Sequence, residues 1–201
     1  MTTKPPLVLA SSSPWRRDLL ARLGLPFECA SPDIDETPTP GESAPALVER
    51  LARGKAEALR DRYPDHLIIG SDQVATLDGA ILGKPGSHEK ACQQLALCSG
   101  RTVTFHTGLA LHDSATGTTD AMKESLRVHF RSLSGDTIER YLRIEQPYQC
   151  AGSFRMEGLG IVLFSHLEGR DPNTLIGLPL IALVDMLQRR GVDILGSAGA
   201  T

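Results

Sequence analysis

Long apolar runs are missing from this sequence: no stretch approaches the roughly 18 uninterrupted apolar residues that a membrane helix requires. A membrane-spanning role is therefore not expected. Basic residues are not in excess either, since 21 Lys and Arg stand against 24 Asp and Glu for a net charge of −3. General affinity for nucleic acid needs a basic face, so none is expected, and phosphate binding would have to come from locally placed cations. The four cysteines, Cys29, Cys92, Cys98 and Cys150, include no CxxC pair and read as having no histidine at zinc-ligand spacing, which argues against a zinc site and a redox motif. Internal repeats and low-complexity tracts are absent. The start, Met-Thr-Thr-Lys-Pro-Pro followed by the short apolar run Leu7 to Ala10, lacks the apolar core of a secretory signal, so a cytoplasmic location is expected.

What is present fits an α/β protein. A length of 201 residues accommodates one α/β domain, or two small lobes around a cleft, and strand-like segments alternate with helix-like ones throughout. Leu7 to Ala10 reads as a buried strand and Pro14 to Leu23 as a helix, with Ser13 as N-cap and Pro14 at the first helical position. A second helix is expected over Ala44 to Leu59, where Lys55 extends the inward stripe of Leu47 and Leu51 by one turn. Further strands are expected at Leu67 to Gly70, Thr102 to Leu111, Leu126 to Phe130 and Ile161 to Phe164. Further helices are expected at His88 to Leu97, Ser134 to Ile144 and Leu178 to Arg190. Val74 to Leu82 reads as a hairpin around Asp78-Gly79, with Leu77 opposite Ala80, which by counting puts Lys84 opposite Gln73 and beside Asp72.

Several segments carry chemistry. Ser11-Ser12-Ser13-Pro14-Trp15-Arg16-Arg17 delivers hydroxyls and then cations to a helix start, where unpaired amides and the helix dipole favour an anion. A capped helix with solvated arginines is the competing reading. Lys55 on a core-facing stripe costs desolvation energy unless an anion meets it, the alternative being a side chain that snorkels to the surface. Asp72, in Gly70-Ser71-Asp72-Gln73, follows a buried strand at the end where ligands of α/β sheets gather, although aspartate there also forms turns. Glu36 closes the acidic segment Asp33-Ile34-Asp35-Glu36 and offers oxygen to a hard cation such as magnesium, unless the segment is a solvated loop. His106, His112 and His129 are expected in structural or surface roles.

Taken in order, Ser11 to Arg16, Glu36, Arg53-Gly-Lys55-Ala, Gly70-Ser-Asp72-Gln and Gly83-Lys84-Pro make a set that resembles the Maf family of nucleoside triphosphate pyrophosphatases. The likeness runs from Leu7 to Ile176-Gly-Leu-Pro-Leu, and a single Maf-like domain over 1–201 is expected from it. The resemblance implies an inosine-triphosphatase-like α/β fold, with a long mixed sheet, flanking helices and two lobes around a central cleft. It also implies a divalent cation, Mg2+ or Mn2+. By the same resemblance Ser11, Arg16, Lys55 and Lys84 would hold the triphosphate, Glu36 and Asp72 would bind the metal, and Asp72 would be the proton acceptor.

Three departures from the common family pattern point to a branch: Trp15 where arginine is usual, Gln73 where threonine is usual, and Glu157 in Met156-Glu157-Gly158 where glutamine is usual. They resemble the branch that cleaves 7-methyl-GTP. N7-methylguanine is cationic, so an indole face attracts it by roughly 0.5 to 2 kcal/mol. One carboxylate can accept from both N1-H and the N2 amine of guanine. A core position for Trp15 and a surface or metal-binding position for Glu157 are the plainer readings. The expected partner is a nucleotide rather than nucleic acid or a membrane, and a homodimer is left open. Two other functions remain: a pyrophosphatase for dTTP, UTP or another noncanonical nucleotide, and a non-catalytic regulator of cell division.

Overall fold

Four serines open four of the helices. Ser13, Ser43, Ser87 and Ser134 hold extended backbones, and each hydroxyl accepts from the amide three residues on, at 3.4, 3.4, 3.3 and 3.1 Å. Each thereby satisfies one orphan donor of a first turn. The helices are α1 (Pro14–Ala21), α2 (Ala44–Glu57), α3 (His88–Cys98) and α4 (Gly135–Glu145). A fifth, α5 (Leu180–Arg189), follows Pro179, and α6 (Leu195–Ala198) is a single turn. These elements come from a computed structural model that describes residues 5–198. No helix among the described residues is long and apolar enough to cross a membrane.

The strands are β1 (Leu7–Ala10), β2 (Phe27–Ala30), β3 (Leu67–Leu77), β4 (Ala80–Leu82), β5 (Thr102–Asp113), β6 (Thr118–Phe130) and β7 (Phe164–Glu168). They form one mixed seven-stranded sheet in the order β2-β1-β3-β5-β6-β7, with β4 paired to β3. The fold is thus the mixed α/β sheet with flanking helices that the sequence suggests. Strand β1 runs parallel to both β2 and β3, while β4 is antiparallel to β3 and β7 to β6. From β1 the chain passes through α1 to β2 on one side, then through α2 to β3 on the other. Such a reversal of direction opens a crevice beyond the carboxyl ends of the strands.

The hairpin has the expected register at its turn, Leu77 opposite Ala80, but the ladder ends at Ala75 and Leu82, so the expected pairing of Lys84 with Gln73 is not formed; its turn residues Asp78 and Gly79 both have positive φ, 49° and 82°. That pairing suits the strand twist and favours Asp-Gly. Three expectations need correction. β3 is one strand across Gly70 to Val74, and β6 begins eight residues before Leu126. Ile161–Phe164 is not a strand: Leu159–Leu163 is a 3₁₀ segment, and β7 starts at Phe164. There Leu159, Ile161 and Val162 are exposed while Gly160 and Leu163 are buried, a pattern no flat strand produces. β2 was not expected, because this edge strand shows solvent Glu28 and Cys29 side by side and so lacks alternation.

The chain divides into two compact units. Unit 1 comprises residues up to Gln73, then Thr107–Glu124, then the chain from Gly177; unit 2 comprises Val74–His106 and Ser125–Ile176. In unit 1 the apolar core gathers Val8, Ala10, Ala52, Ala56, Leu59, Ile68 and Ala110. In unit 2 it is aromatic, with Phe130, Phe154 and Phe164 meeting edge to face at centroid distances of 4.7 to 5.7 Å.

Candidate active site

Small residues bring α2 onto the sheet of unit 1. A Cβ on Gly70 of β3 would collide with the backbone oxygen of Ala52, and one on Gly108 of β5 with that of Val48. Only glycine lets the helix backbone come so close. The inward face of α2 buries Leu47, Val48, Leu51 and Ala52, and one turn later it buries Lys55, which is 7% exposed.

That ammonium does not snorkel to the surface but is met by two carboxylates. Lys55 Nζ lies 2.6 Å from Asp72 Oδ1 and 2.7 Å from Glu36 Oε1. Asp72 is buried on β3, whereas the Glu36 side chain is 59% exposed and comes in from the loop after β2. Two carboxylates from distant parts of the chain thus share one cation. Arg16, in the first turn of α1, is half-buried; burial pushes its guanidinium below its ordinary pKa, while Asp72 and Glu36 act to raise it. Its Nε donates to Gly177 O at 2.8 Å.

Gly177 and Ser71 hold this group together and were not singled out in the sequence. Ser71 is fully buried, and its hydroxyl lies 2.8 Å from both Gly108 O and Gly177 O, so one proton serves two carbonyls. Gly177 has φ +110°, and a Cβ there would sit 3.2 Å from Arg16 Nε. A glycine two residues before Pro179, just ahead of α5, is the one sequence signal for it. Ser11 follows β1, is buried, and accepts from Ser13 N at 3.1 Å, which leaves its own proton to donate. Trp15, next to Arg16, is 38% exposed. Gln73 Nε2 donates to Thr107 Oγ1 at 3.0 Å.

Lys84 and Glu157 belong to unit 2. Lys84 is exposed after the last paired residue of β4, and its loop is pinned by Gln94 Nε2 on Gly83 O at 3.0 Å and by Gly86 N on Tyr148 O at 2.8 Å. The segment bearing Glu157 is tied to α4 through Glu145, which accepts from Arg155 Nε at 2.9 Å and Leu159 N at 3.0 Å. Solvent reaches Glu157, yet the surrounding protein desolvates its carboxyl and pushes its pKa up. The Cys150 thiol is pushed up, first by burial and then by Glu157, with Lys84 opposing.

A family model described as Maf-like protein matches residues 6–190, nearly the whole chain. The chain belongs to the Maf family. Maf proteins are in general nucleoside triphosphate pyrophosphatases that typically use divalent metals, which supports reading this chain as a hydrolase of nucleotide anhydrides. The Arg16–Glu36–Lys55–Asp72 cluster fits such a metal by its donors. Glu36 and Asp72 offer hard carboxylate oxygens of the kind such a metal takes, and Lys55 already stands between them as a cation.

The expected histidine roles agree with what is seen. His106 bonds Thr76 and Ser125, at 3.2 and 2.8 Å, and His129 stacks on His166 with centroids 3.8 Å apart. His112 is buried on β5.

Proposed function

We propose that this protein cleaves nucleoside triphosphates between the α- and β-phosphates, with 7-methyl-GTP as its preferred substrate. The observation that carries the reaction is the meeting of Glu36 and Asp72 on the Lys55 ammonium, with Arg16 at the start of α1 beside them. A bound divalent cation would supply charge neutralisation at the phosphate oxygens, with Glu36 and Asp72 as its protein ligands. Lys55, Arg16, Ser11 and the amides of the first turn of α1 hold the triphosphate. The Asp72 carboxylate takes the proton of the attacking water. The water oxygen bonds to the α-phosphorus, the bridging P–O bond breaks, and diphosphate leaves with its charge held by the cations. The role of Lys84 as a further phosphate contact rests on the family resemblance alone.

What supports the methylated base is the departure from the common family pattern at three positions, Trp15, Gln73 and Glu157. Trp15 shows part of its indole to solvent next to Arg16, which suits stacking on a cationic purine. Glu157 supplies a carboxylate for the two donors of guanine.

The test is diphosphate release from 7-methyl-GTP, GTP, dTTP, UTP and CTP with magnesium or manganese. Diphosphate as the first product and the highest kcat/KM for 7-methyl-GTP are expected. The triple variant Trp15→Arg, Gln73→Thr, Glu157→Gln is expected to lose that preference. A wild type that favours dTTP or UTP would move the protein to the pyrimidine reading, and no diphosphate from any nucleotide would overturn the reaction itself.

A further inference from the structure

Unit 2 brings together a second chemical cluster, which shares no residue with the first. His88 and Cys92 sit one turn apart on α3, and Glu139 comes from α4; one ligand atom from each lies within 4.8 Å of the others. The closest approaches are His88 Nε2 to Glu139 Oε2 at 2.9 Å and Cys92 Sγ to the same oxygen at 3.7 Å. Cys92 is therefore at ligand spacing after all, with its histidine four residues before it on one helix face.

The surroundings orient these atoms. Tyr148 OH donates its proton to Leu142 O at 3.4 Å, so its oxygen accepts from His88 Nδ1–H at 3.0 Å. Nδ1 then carries the proton, and Nε2 points a lone pair at Glu139 Oε2. Two lone pairs 2.9 Å apart need a cation between them, either a proton on the ring or a metal ion. The other carboxylate oxygen, Oε1, accepts from Arg143 Nε at 2.6 Å, which turns Oε2 toward the histidine and the thiol. Outer partners of this kind, on a ring nitrogen and on a carboxylate, are what metal ligands carry.

We infer that His88 Nε2, Cys92 Sγ and Glu139 Oε2 form a binding site for a borderline-soft transition metal of the zinc class, which fastens α3 to α4. One nitrogen, one sulfur and one oxygen suit zinc or cobalt and not magnesium, and three protein ligands leave a fourth position for water. All three residues are half-buried, so an ion can reach them. On binding, the protons on Sγ and Nε2 pass to solvent.

The experiment is a cobalt titration of the full-length protein, reduced and stripped of metal, followed in the near ultraviolet for thiolate-to-cobalt charge transfer. One equivalent is expected to produce the band, and zinc is expected to abolish it by displacement. Cys92→Ser should remove the band, Tyr148→Phe should weaken affinity by about tenfold or more, and Cys150→Ser should change nothing. Circular dichroism melts of the same samples separate a lost ligand from a lost fold. Wild-type protein that shows no band with stoichiometric cobalt, or a band that survives in folded Cys92→Ser, overturns the site.

Discussion

Lys55 shows how a single side chain can be both expensive and necessary. Its ammonium sits on the core-facing stripe of α2, and its desolvation is offset only because Asp72 and Glu36 meet it at 2.6 and 2.7 Å. Lys55→Met fills the same space without the charge, so it leaves the buried Asp72 carboxylate without its cation. Chemical denaturation should show a loss of about 3 kcal/mol, and nucleotide hydrolysis should fall by at least about a hundredfold. Asp72→Asn separates the two effects. It keeps a hydrogen-bond acceptor for Lys55 and loses the proton acceptor, so hydrolysis should vanish while the melting temperature moves little. A Lys55→Met variant with near wild-type turnover would remove Lys55 from the reaction.

At the scale of elements, the decisive contacts are backbone on backbone, at Gly70 and Gly108 under α2. Gly70→Ala should push the helix off the sheet and cost about 1 to 3 kcal/mol, and it should lower kcat because Lys55 rides on that helix. Gly135→Ala, where nothing lies within 4 Å of the added Cβ, is the control and should be close to neutral in a thermal melt.

His112 ties three elements together. Thr119 on β6 donates to Glu57 on α2 at 2.7 Å and so accepts from His112 Nδ1–H at 2.8 Å, while the buried Nε2 has no hydrogen-bond partner. Burial lowers the pKa of His112, so the folded ring resists a proton that the unfolded ring accepts near its ordinary value of about 6.5. Stability should therefore fall as pH drops through that value toward the lower folded one. His112→Asn should lose less melting temperature than wild type between about pH 7.5 and about pH 5.5; equal slopes would assign the acid sensitivity elsewhere.

The same scale explains what the sequence discloses. The start of α1 was legible because Ser13 and Pro14 act locally, and the hairpin because Asp78-Gly79 prescribes its own turn. The charge on the inner face of α2 was legible from periodicity. Ser71, Gly177 and the Cys92–Glu139 approach were not, since they depend on contacts 37 to 161 residues away in sequence. The edge strand β2 and the 3₁₀ segment at Leu159–Leu163 were missed for a different reason: neither buries a periodic face.

For the whole molecule, the cluster in unit 1 is electrically balanced without a ligand, with Arg16 and Lys55 against Glu36 and Asp72. A triphosphate alone adds several negative charges to this balance, and a divalent ion alone must compete with Lys55 for its two carboxylates. Together they would be complementary: Glu36 and Asp72 would hold the ion, and the freed Lys55 ammonium would turn to phosphate. Binding of the pair should therefore be cooperative, and it should appear as stability of the entire chain, since a ligand that binds only the folded state at a hundredfold its Kd adds about 2.7 kcal/mol. For a protein of this size that is a rise in Tm of about 5 to 10 °C. An α,β-methylene analogue of 7-methyl-GTP, which cannot be cleaved, allows the measurement at equilibrium. Analogue with magnesium should give the full rise, and either alone should give clearly less. In Glu36→Gln the magnesium-dependent part should shrink while the analogue alone still binds. Strictly additive shifts from nucleotide and metal would mean that Lys55 does not exchange its carboxylates for phosphate.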